Sequence, residues 1–491
     1  MNGSAQSPAA AQTGGDRLRL RRLPLAGLAG PPAIPLLGPM GSMMRFFSDP
    51  IRSLLDLSAR GDVVAMADGD ASLVCAFGAA HNKAVLSDPW RFENVAESPI
   101  PVPPGSAPAR ILGNALTSLN GEHHKSRRRM MMPIFAKSAV EMYREAVATE
   151  IEKRVSHFAP EATVDVARAS TELSLAVAMR CLFGLDPDDA GGLELARLSV
   201  GYLEGLIDPR AMIFPFRLPG TPYARFMDTA AKLEARILTL IAERRAGTLG
   251  RDVLSLLIRA HDDDGSTMSD VELVAQASVF FVAGFETTAN TLAWTLFLLS
   301  QHDDVLDEVQ AELDDVLGGR VPEAEEIAKL RRLDAVVHES MRVLPATPFL
   351  FMRRATEAFE LGAHQLPAGA ILFLSSFITH RDPAMFPEPG RFRPSRWEGL
   401  SPGPYAYIPF GAGPRLCIGS SFAAQTTRLA LAAILQRARP VLLDGANISR
   451  RVRGIVLGTK HGIPMRFVPR AGRTPAGRAR GDIHELVVLP R

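Results

Sequence analysis

Apolar residues recur every three or four positions through most of the middle of the chain, which is the period of helices packed along one face. This spacing predicts helices over 121–135, 138–157, 163–183, 190–205, 224–246, 252–262, 269–301, 303–317 and 329–343. Beyond residue 350 the pattern changes to short apolar runs between turn residues, with one more helix predicted at 418–437. A β-like run covers 63–74. The Pro-, Ser- and Gly-rich segment 95–119 is expected to be a long loop.

The predicted helix over 269–301 differs from the others because it is apolar nearly all round. Ser269 followed by Glu272 is typical of a capping box at its start. A helix of this kind is either buried or membrane-spanning. Gln276, Glu286 and Thr287 would lie in lipid if it crossed a membrane, so we expect a central core helix. Buried polar groups at its middle cost stability unless they are satisfied or functional.

The chain has 491 residues, of which 47% are hydrophobic, and this is enough for a large core. We find no internal repeat and no linker between regions of different composition. The fold class predicted is therefore mostly α with a smaller β portion, in a single domain over 31–468. Residues 1–30 are expected to be disordered and 469–491 to form a basic C-terminal tail, because both ends combine arginines with Gly, Ala and Pro.

The net charge of +2 predicts no binding to nucleic acid and no general preference for acidic partners. The cysteines, at positions 75, 181 and 417, have no paired spacing, so a disulfide framework is not expected and a reducing cytoplasm is the predicted location. The N-terminal segment has no apolar stretch of anchor length. We therefore predict a soluble, cytoplasmic protein without a transmembrane anchor.

Cys417 lies in the segment FGAGPRLCIG, where three glycines surround one cysteine just before a predicted helix. Glycines permit a tight loop that approaches a flat or bulky group, and the N–H groups of a helix start stabilise a thiolate. A single thiolate without further ligands nearby points to axial ligation of haem iron. A buried structural cysteine beside a turn is the alternative. A dinucleotide loop is excluded because Pro414 interrupts the glycine pattern and Leu416 takes its sixth position.

Several ordered motifs give the chain a resemblance to the cytochrome P450 family over roughly residues 31–468. Residues 410–419 match the haem-binding loop FxxGxRxCxG at every fixed position, and Ala283 to Thr288 (AGFETT) resembles the oxygen-binding stretch of the long helix. ESMR at 339–342 matches ExxR, and FRPSRW at 392–397 resembles the loop whose arginine completes that cluster. Gly121, His124, Arg128 and Phe135 resemble a family helix near the haem.

The resemblance implies haem b as cofactor, with Cys417 as the metal ligand. The cofactor-binding residues it implies are His124, Arg128, Ala283, Gly284, Arg353, Phe410, Gly411, Arg415, Cys417 and Gly419. The basic members are expected to bind the propionates, because arginine can donate to both oxygens of a carboxylate. Two of these assignments have a close alternative, since His123 precedes His124 and Arg354 follows Arg353.

The resemblance also implies roles for two smaller groups. Glu286 and Thr287 are the expected catalytic pair, supplying protons where oxygen and water bind; the alternative is a polar helix face satisfied within the core. Glu339, Arg342 and Arg396 are expected to form a buried structural cluster behind the haem loop. The alternative for Glu339 and Arg342 is an exposed pair one turn apart, worth less than about 1 kcal/mol.

The implied activity is insertion of one oxygen atom of O₂ into a lipophilic substrate, by hydroxylation or epoxidation. Electrons from NAD(P)H would arrive indirectly through a ferredoxin and a ferredoxin reductase, docking on a basic face with Lys125, Arg127 and Arg129. The implied substrate-pocket residues are Ile111, Leu112, Phe280, Thr347, Phe349, Leu350, Val456 and Leu457. A haem-thiolate peroxygenase or isomerase would not need the Glu286–Thr287 pair. A haem sensor or carrier would bind haem without NAD(P)H-dependent turnover.

Overall fold

The computed structural model describes residues 18, 20–98, 100–471, 475 and 477–490. Its α-helices are α1 (Gly38–Ser48), α2 (Pro50–Ser58), α3 (Ala79–Leu86), α4 (Ala107–Asn114), α5 (Gly121–Met131), α6 (Lys137–Arg154), α7 (Val166–Phe183), α8 (Ala190–Leu206), α9 (Pro209–Ile213), α10 (Pro222–Ala246), α11 (Val253–Arg259), α12 (Asp270–Leu299), α13 (Asp303–Leu317), α14 (Ala324–Ile327), α15 (Arg331–Val343), α16 (Ser376–Thr379) and α17 (Ser420–Leu435). Short 3₁₀ helices cover Met132–Phe135, Val155–Phe158, Pro394–Glu398, Gly413–Arg415 and Asp482–Glu485.

The strands are β1 (Val63–Ala67), β2 (Asp70–Ala76), β3 (Phe92–Asn94), β4 (Thr163–Asp165), β5 (Arg353–Ala355), β6 (Phe359–Leu361), β7 (His364–Leu366), β8 (Ile371–Leu374), β9 (Arg439–Leu442), β10 (Arg450–Arg453), β11 (Val456–Thr459) and β12 (Pro464–Val468). The largest sheet has the order β1-β2-β8-β5-β3, in which β2 and β8 are parallel. The smaller sheets are β4-β12-β9, β10-β11 and β6-β7. The prediction of a mostly helical fold with a smaller β portion is confirmed.

Helix α12 runs through the centre of the helical part and packs against α7, α4, α15 and α17. Its 30 residues give a length of about 45 Å. The predicted capping box is present, because the Ser269 side chain accepts from the Glu272 N–H while Glu272 accepts from the Ser269 N–H. The buried Gln276 is satisfied by accepting from Leu116 N (3.0 Å) and donating to the Asn114 carbonyl (2.6 Å). Of the described helices, none is long and apolar enough to cross a membrane.

The helices predicted from periodicity are all present, with ends that differ by a few residues. Two of them finish in a 3₁₀ turn, at Met132–Phe135 and Val155–Phe158. The predicted start at 163 is wrong, because Thr163–Asp165 pairs with β12 before α7 begins at Val166. Pairing with a strand distant in sequence decides where this helix begins, and the periodicity of the local sequence cannot indicate it.

Two other expectations are corrected. The run over 63–74 is a hairpin of two strands, since Gly69 (φ 65°) turns the chain between β1 and β2. The expected loop over 95–119 contains α4, which starts with Pro108 in its first turn and buries Ile111 against α12. The proline that suggested a loop is therefore a helix-start residue, where its missing N–H costs nothing.

The ends of the chain also differ from expectation where the structure describes them. Leu28 is buried beside the β1–β2 hairpin, and Leu23 N donates to Asp70 Oδ1 at 3.0 Å. Within 477–490, Ile483, Leu486 and Val487 are buried in the main core. These apolar residues are fixed by packing, although the surrounding arginines suggested a solvated tail. Residues 1–17, 19 and 472–474, including Arg17, Arg19 and Arg473, lie outside the described residues.

Candidate active site

The loop that carries Cys417 is a tight turn held by its own backbone. Cys417 N donates to the Phe410 carbonyl at 2.9 Å, and Leu416 N donates to the Gly413 carbonyl at 2.9 Å. Gly411 and Gly413 both have positive φ, 73° and 69°, which favours glycine. A side chain at position 413 is also excluded sterically, because its Cβ would lie 2.2 Å from the Leu86 carbonyl oxygen. The turn that presents the thiol therefore favours glycine at positions 411 and 413.

The Cys417 thiol is accessible to solvent although protein surrounds it. Burial raises the pKa of the thiol, while a hydrogen bond from the Gly419 backbone and the charge of Arg128 act in the opposite direction. Helix α17 begins three residues later, at Ser420. A backbone N–H near the helix start lowers the pKa of the thiol, as expected. In the protein alone this effect is smaller than the opposite effect of burial. Cys417 is therefore accessible at the surface of a loop that otherwise packs within the protein.

The middle of α12 is also unusually open for a core helix. Residues 283 and 284 are exposed, and Val279, Val282, Glu286, Thr287 and Asn290 are half-buried. A Cβ added to Gly284 would meet no atom within 4 Å. A cavity between α12 and α17 is lined by Thr287, Thr288 and Thr291 on one side and by Phe410, Ala423 and Thr427 on the other. The open face of α12 and the Cys417 loop therefore border the same interior space.

The two threonines at the middle of α12 make equivalent hydrogen bonds. Thr287 Oγ1 donates to the Ala283 carbonyl and Thr288 Oγ1 to the Gly284 carbonyl, both at 2.7 Å. They differ in exposure, since Thr287 is half-buried and Thr288 is buried. The back-bond that the sequence suggested for Thr287 is present, but it does not distinguish Thr287 from its neighbour.

Glu286 is half-buried, and burial raises the pKa of its carboxyl. Arg453 and Arg451 act against this by lowering that pKa, and Glu204 raises it. The carboxyl therefore remains protonated to a higher pH than an exposed glutamate, which suits a group that donates protons near neutrality.

Four basic residues converge beside this space: His124, Arg128, Arg353 and Arg415. Burial, and then the charges of the three arginines, lowers the pKa of His124 to about 3. Burial lowers the pKa of Arg353 to about 9 and of Arg415 to about 10. No salt bridge joins any of the four to a carboxylate within the described part of the chain, and Arg415 Nε is buried without a partner. The charge of Glu93 raises the pKa of Arg415, but no carboxylate of the described chain forms a salt bridge that would compensate the desolvation of the cluster.

Burial and ion pairing distinguish His124 and Arg353 from the basic residues next to them in sequence. His123 is exposed and lies 3.5 Å from Glu272, whereas His124 is buried. Arg354 pairs with Glu97, whereas Arg353 is buried and donates to the Phe351 carbonyl at 2.9 Å. The cluster thus contains the member of each pair that the sequence motifs favoured.

Glu339, Arg342 and Arg396 form a fully buried network behind the Cys417 loop. Arg342 donates from Nε and Nη2 to the two oxygens of Glu339 at 2.8 Å, and Arg396 Nε donates to Glu339 Oε1 at 2.8 Å. Trp397 Nε1 donates to Glu339 Oε2 at 3.0 Å. The alternative of an exposed pair is excluded, because Glu339 and Arg342 are both 0% exposed.

The network reaches the loop through residues that the motifs did not indicate. Arg342 Nη1 donates to the His380 carbonyl at 3.0 Å, and His380 Nε2 accepts from Ile408 N at 2.8 Å. Gly411 N in turn donates to the Ile408 carbonyl at 3.1 Å. Sequence offered no signal for His380, whereas Trp397 adjoins Arg396 within the recognised motif.

Comparison with known proteins decides the family. The sequence profile described as Cytochrome P450 matches residues 28–462. The chain belongs to the cytochrome P450 family. Cyclooctatin synthase of Streptomyces melanosporofaciens is 33% identical over 89% of this chain and 94% of that protein. Cyclooctat-9-en-7-ol 5-monooxygenase of the same organism is 33% identical over 83% of this chain and 88% of that protein.

A further relative and a solved structure agree with this placement. Pentalenene oxygenase of Streptomyces avermitilis is 28% identical over 92% of this chain and 98% of that protein. The structure of retinoic acid-bound cyanobacterial CYP120A1 has the same fold, with a TM-score of 0.79 at 23% identity over 91% of this chain and 99% of the other. This P450 is a haem-dependent monooxygenase, an oxidoreductase that acts on lipophilic substrates, and its cofactor is haem b.

The residues of this P450 fit haem on structural grounds. Cys417 is accessible, Phe410 of its loop and Thr287 of α12 line one cavity, and a Cβ added to Gly284 or to Gly419 would meet no atom within 4 Å. The basic cluster, which forms no salt bridge to a carboxylate of the described chain, would gain two anionic partners from the propionates. A flat group with one thiolate ligand and two carboxylates satisfies each of these features.

The cations of the expected basic docking face have acidic partners within the chain. Arg127 Nε lies 2.5 Å from Glu272 Oε1 and is 16% exposed, and Arg129 pairs with Asp262 and, at 3.2 Å, with Asp263. Acidic residues of the same chain thus already neutralise two of the three cations. Lys125 is 63% exposed but lies 3.3 Å from Glu122. Sequence spacing showed the basic side chains, but the acidic partners of the two arginines come from segments more than 130 positions away.

The residues expected to line the substrate pocket differ in accessibility. Leu112 and Thr347 are half-buried, whereas Ile111, Phe280, Leu350 and Val456 are buried at up to 9% exposure. Leu457 is fully buried and is held by backbone hydrogen bonds to Ala346 and Trp294 Nε1. The Phe349 ring packs against the Phe46 and Phe47 rings at 5.5 and 6.0 Å, so its environment is an aromatic core.

Proposed function

We propose that Cys417 is the thiolate ligand of haem, that His124, Arg128, Arg353 and Arg415 bind the propionates, and that Glu286 and Thr287 deliver protons. The observation that carries this proposal is the basic cluster around the accessible Cys417, whose loop borders through Phe410 the same cavity as Thr287 of α12. Phe410, Gly411 and Gly419 shape the loop, and Ala283 and Gly284 give the open helix face. Haem bound there supplies the activation of O₂ that transfers one oxygen atom to the substrate.

Thr287 is positioned to hold a water molecule. Its hydroxyl hydrogen is used in the bond to the Ala283 carbonyl, which leaves the oxygen lone pairs free to accept a hydrogen bond from water. When that bond breaks, the same hydroxyl becomes a donor to the reacting oxygen. Glu286, one residue earlier, carries a proton at higher pH than an exposed carboxyl because it is partly desolvated. Proton delivery by such placed groups typically contributes about 10²–10⁴-fold.

We propose a cyclic terpenoid as the substrate. Two observations support this choice: the half-buried residues on the open face of α12 include Val279 and Val282, and the relatives reported above include a pentalenene oxygenase and a cyclooctat-9-en-7-ol 5-monooxygenase. The valines of this face offer apolar burial, worth about 25 cal/mol per Å², beside the polar Glu286, Thr287 and Asn290.

Electrons are proposed to come from a ferredoxin reduced by its reductase with NAD(P)H. Exposed apolar residues support docking by mixed contacts, because Leu416, next to Cys417 in sequence, is 41% exposed and Met132, seven positions after Lys125, is 54% exposed. Protein interfaces combine an apolar centre with a polar rim. Charge therefore has a smaller part in docking than the sequence suggested.

Two experiments test the proposed function. Cys417→His should abolish the red-shifted Soret band of the reduced, carbon-monoxide-bound protein, whereas the matched control Cys75→Ser, at a fully buried position, should keep it. An unchanged band in Cys417→His would refute the ligand assignment. Spectral titration with pentalenene, a long-chain fatty acid and a steroid should show displacement of haem-bound water by the terpene at the lowest concentration. Tighter binding of either other class would refute the substrate proposal.

A further inference from the structure

The hairpin of β10 and β11 packs on α12 beside Glu286. In this hairpin Arg451 is paired with Gly458 and Arg453 with Val456, and directly opposed residues share one face. A Cβ added to Gly458 would lie 2.8 Å from Asn290 Oδ1, so this face meets α12 at Asn290. Asn290 follows Glu286 by one helical turn and lies on the same side of the helix. Arg451 and Arg453 therefore belong to the hairpin face that meets α12 next to Glu286.

The other face of the same strand is committed to structure. Arg450 is 7% exposed and is paired with Asp49 at 3.0 Å, Asp482 at 3.1 Å and Glu485 at 2.9 Å. Val452 packs against the core cluster that contains Phe46 and Phe373. The strand is thus anchored through alternate residues, which fixes the direction in which Arg451 and Arg453 project.

Arg453 also reaches the surface through an ion pair. Its Nη2 atom lies 3.5 Å from Glu204 Oε1, with side-chain exposures of 36% and 58%. Glu204 belongs to the last turn of α8, and the hairpin turn is close to the same helix end, since a Cβ on Gly454 would lie 3.4 Å from Ile207 Cγ2. Arg453 is therefore paired with an exposed carboxylate, and its charge also lowers the pKa of the partly desolvated Glu286.

The charged groups that act on Glu286 come from these two elements. After burial, which raises the pKa of Glu286, the main effects are those of Arg453 and Arg451, which lower it, and of Glu204, which raises it. On its own helix, Glu286 has the uncharged Thr287 and Asn290 as neighbours on the cavity side. Within the described residues, Glu204 and the two hairpin arginines are thus the charges able to tune this carboxyl.

We propose that Arg453, held by Glu204, is a positioning residue that controls proton exchange between solvent and the Glu286 carboxyl. Arg453 can orient toward either carboxylate, so protonation or removal of Glu204 releases it toward Glu286. This inference rests on the proposed role of Glu286 and adds to it the route by which that carboxyl is reached from solvent. Arg453 and Glu204 act through Glu286, and neither of them needs to contact substrate.

The test is an infrared titration of the Glu286 carboxyl in the purified haem-containing protein. The C=O stretch of protonated Glu286 is identified as the band missing from Glu286→Gln, and its intensity is followed against pH. Arg453→Gln should raise the midpoint by roughly half to one pH unit, because a favourable positive charge is lost. Glu204→Gln should lower the midpoint, because a like charge is removed and Arg453 is freed. Arg453→Lys keeps the charge and should leave the midpoint near the wild-type value.

Arg466→Gln is the matched control, since it removes an arginine from an exposed strand position on β12 and should not move the midpoint. Midpoints that do not move in Arg453→Gln and Glu204→Gln, or that move in the same direction, would overturn the inference while leaving Glu286 in its proposed role. If no band is lost in Glu286→Gln at any pH at which the protein is folded, the proposed role of Glu286 fails, and this inference fails with it.

Discussion

Replacing Glu339 by alanine should remove the anion that holds two buried guanidinium groups. Glu339 Oε1 accepts from Arg342, Arg396 and the Arg393 backbone at 2.8, 2.8 and 2.9 Å, and Oε2 accepts from Arg342 and Trp397 at 2.8 and 3.0 Å. Arg342 is 0% exposed and Arg396 is 3% exposed, so water cannot replace the carboxylate without rearrangement. Breaking a buried pair on one side costs about 3–5 kcal/mol.

The chain length converts this cost into a measurable shift. At about 2.1 cal/mol/K per residue, unfolding 491 residues carries an entropy near ~1 kcal/mol/K, so the melting temperature should fall by about 3–5 °C. Haem content per chain is the second readout, because the network connects through His380 and Ile408 to the Cys417 loop. Glu339→Ala is therefore expected to lose haem during purification or dilution.

Glu172→Ala is the control, since it removes a 43%-exposed carboxylate paired with Arg168 at 2.9 Å on α7. An exposed helical pair is worth about 0.3–0.5 kcal/mol, so its melting temperature should change by less than about 1 °C and its haem content should be normal. Equal melting temperatures and equal haem contents for Glu339→Ala and Glu172→Ala would refute the reasoning, because burial of the network would then have no energetic consequence.

Three further predictions concern protons and electrons. Thr287→Ala should keep substrate binding but divert reducing equivalents to hydrogen peroxide, while Thr288→Ala, at a buried position, should produce far less peroxide. The ratio of product formed to NAD(P)H consumed measures this, and the reverse order would place the motif one residue out of register. Glu286→Gln should stabilise the fold at alkaline pH and not in acid, because a carboxyl whose pKa is raised on folding destabilises the folded protein as pH rises through that pKa. Urea unfolding at several pH values measures the free energy of unfolding, and an equal effect in acid and in alkali would contradict the prediction. Lys125→Glu should slow reduction by ferredoxin less than about twofold, since its basic neighbours are already paired; a steep salt dependence in stopped-flow reduction would show otherwise.

The sequence alone determined the features that depend on local chemistry. The Cys417 loop, the capping box at Ser269 and the buried character of α12 were predicted from residue type and spacing, and the structure contains them. Positions 411 and 413 favour glycine because the backbone has a positive φ at both. Helices with a strong apolar period were found for the same reason, since their burial is recorded every three or four residues.

Tertiary structure alone decided which charges are free. Arg127 and Arg129 formed a basic surface in sequence, and only the fold brought Glu272 and Asp262 to them. The reverse holds for the basic cluster, where three arginines and His124 converge and no carboxylate of the described chain forms a salt bridge with them. The C-terminal segment looked solvated because its arginines are conspicuous, yet Ile483 and Leu486 fix it in the core. Ion pairs between residues distant in sequence depend on the fold, so no local pattern can indicate them.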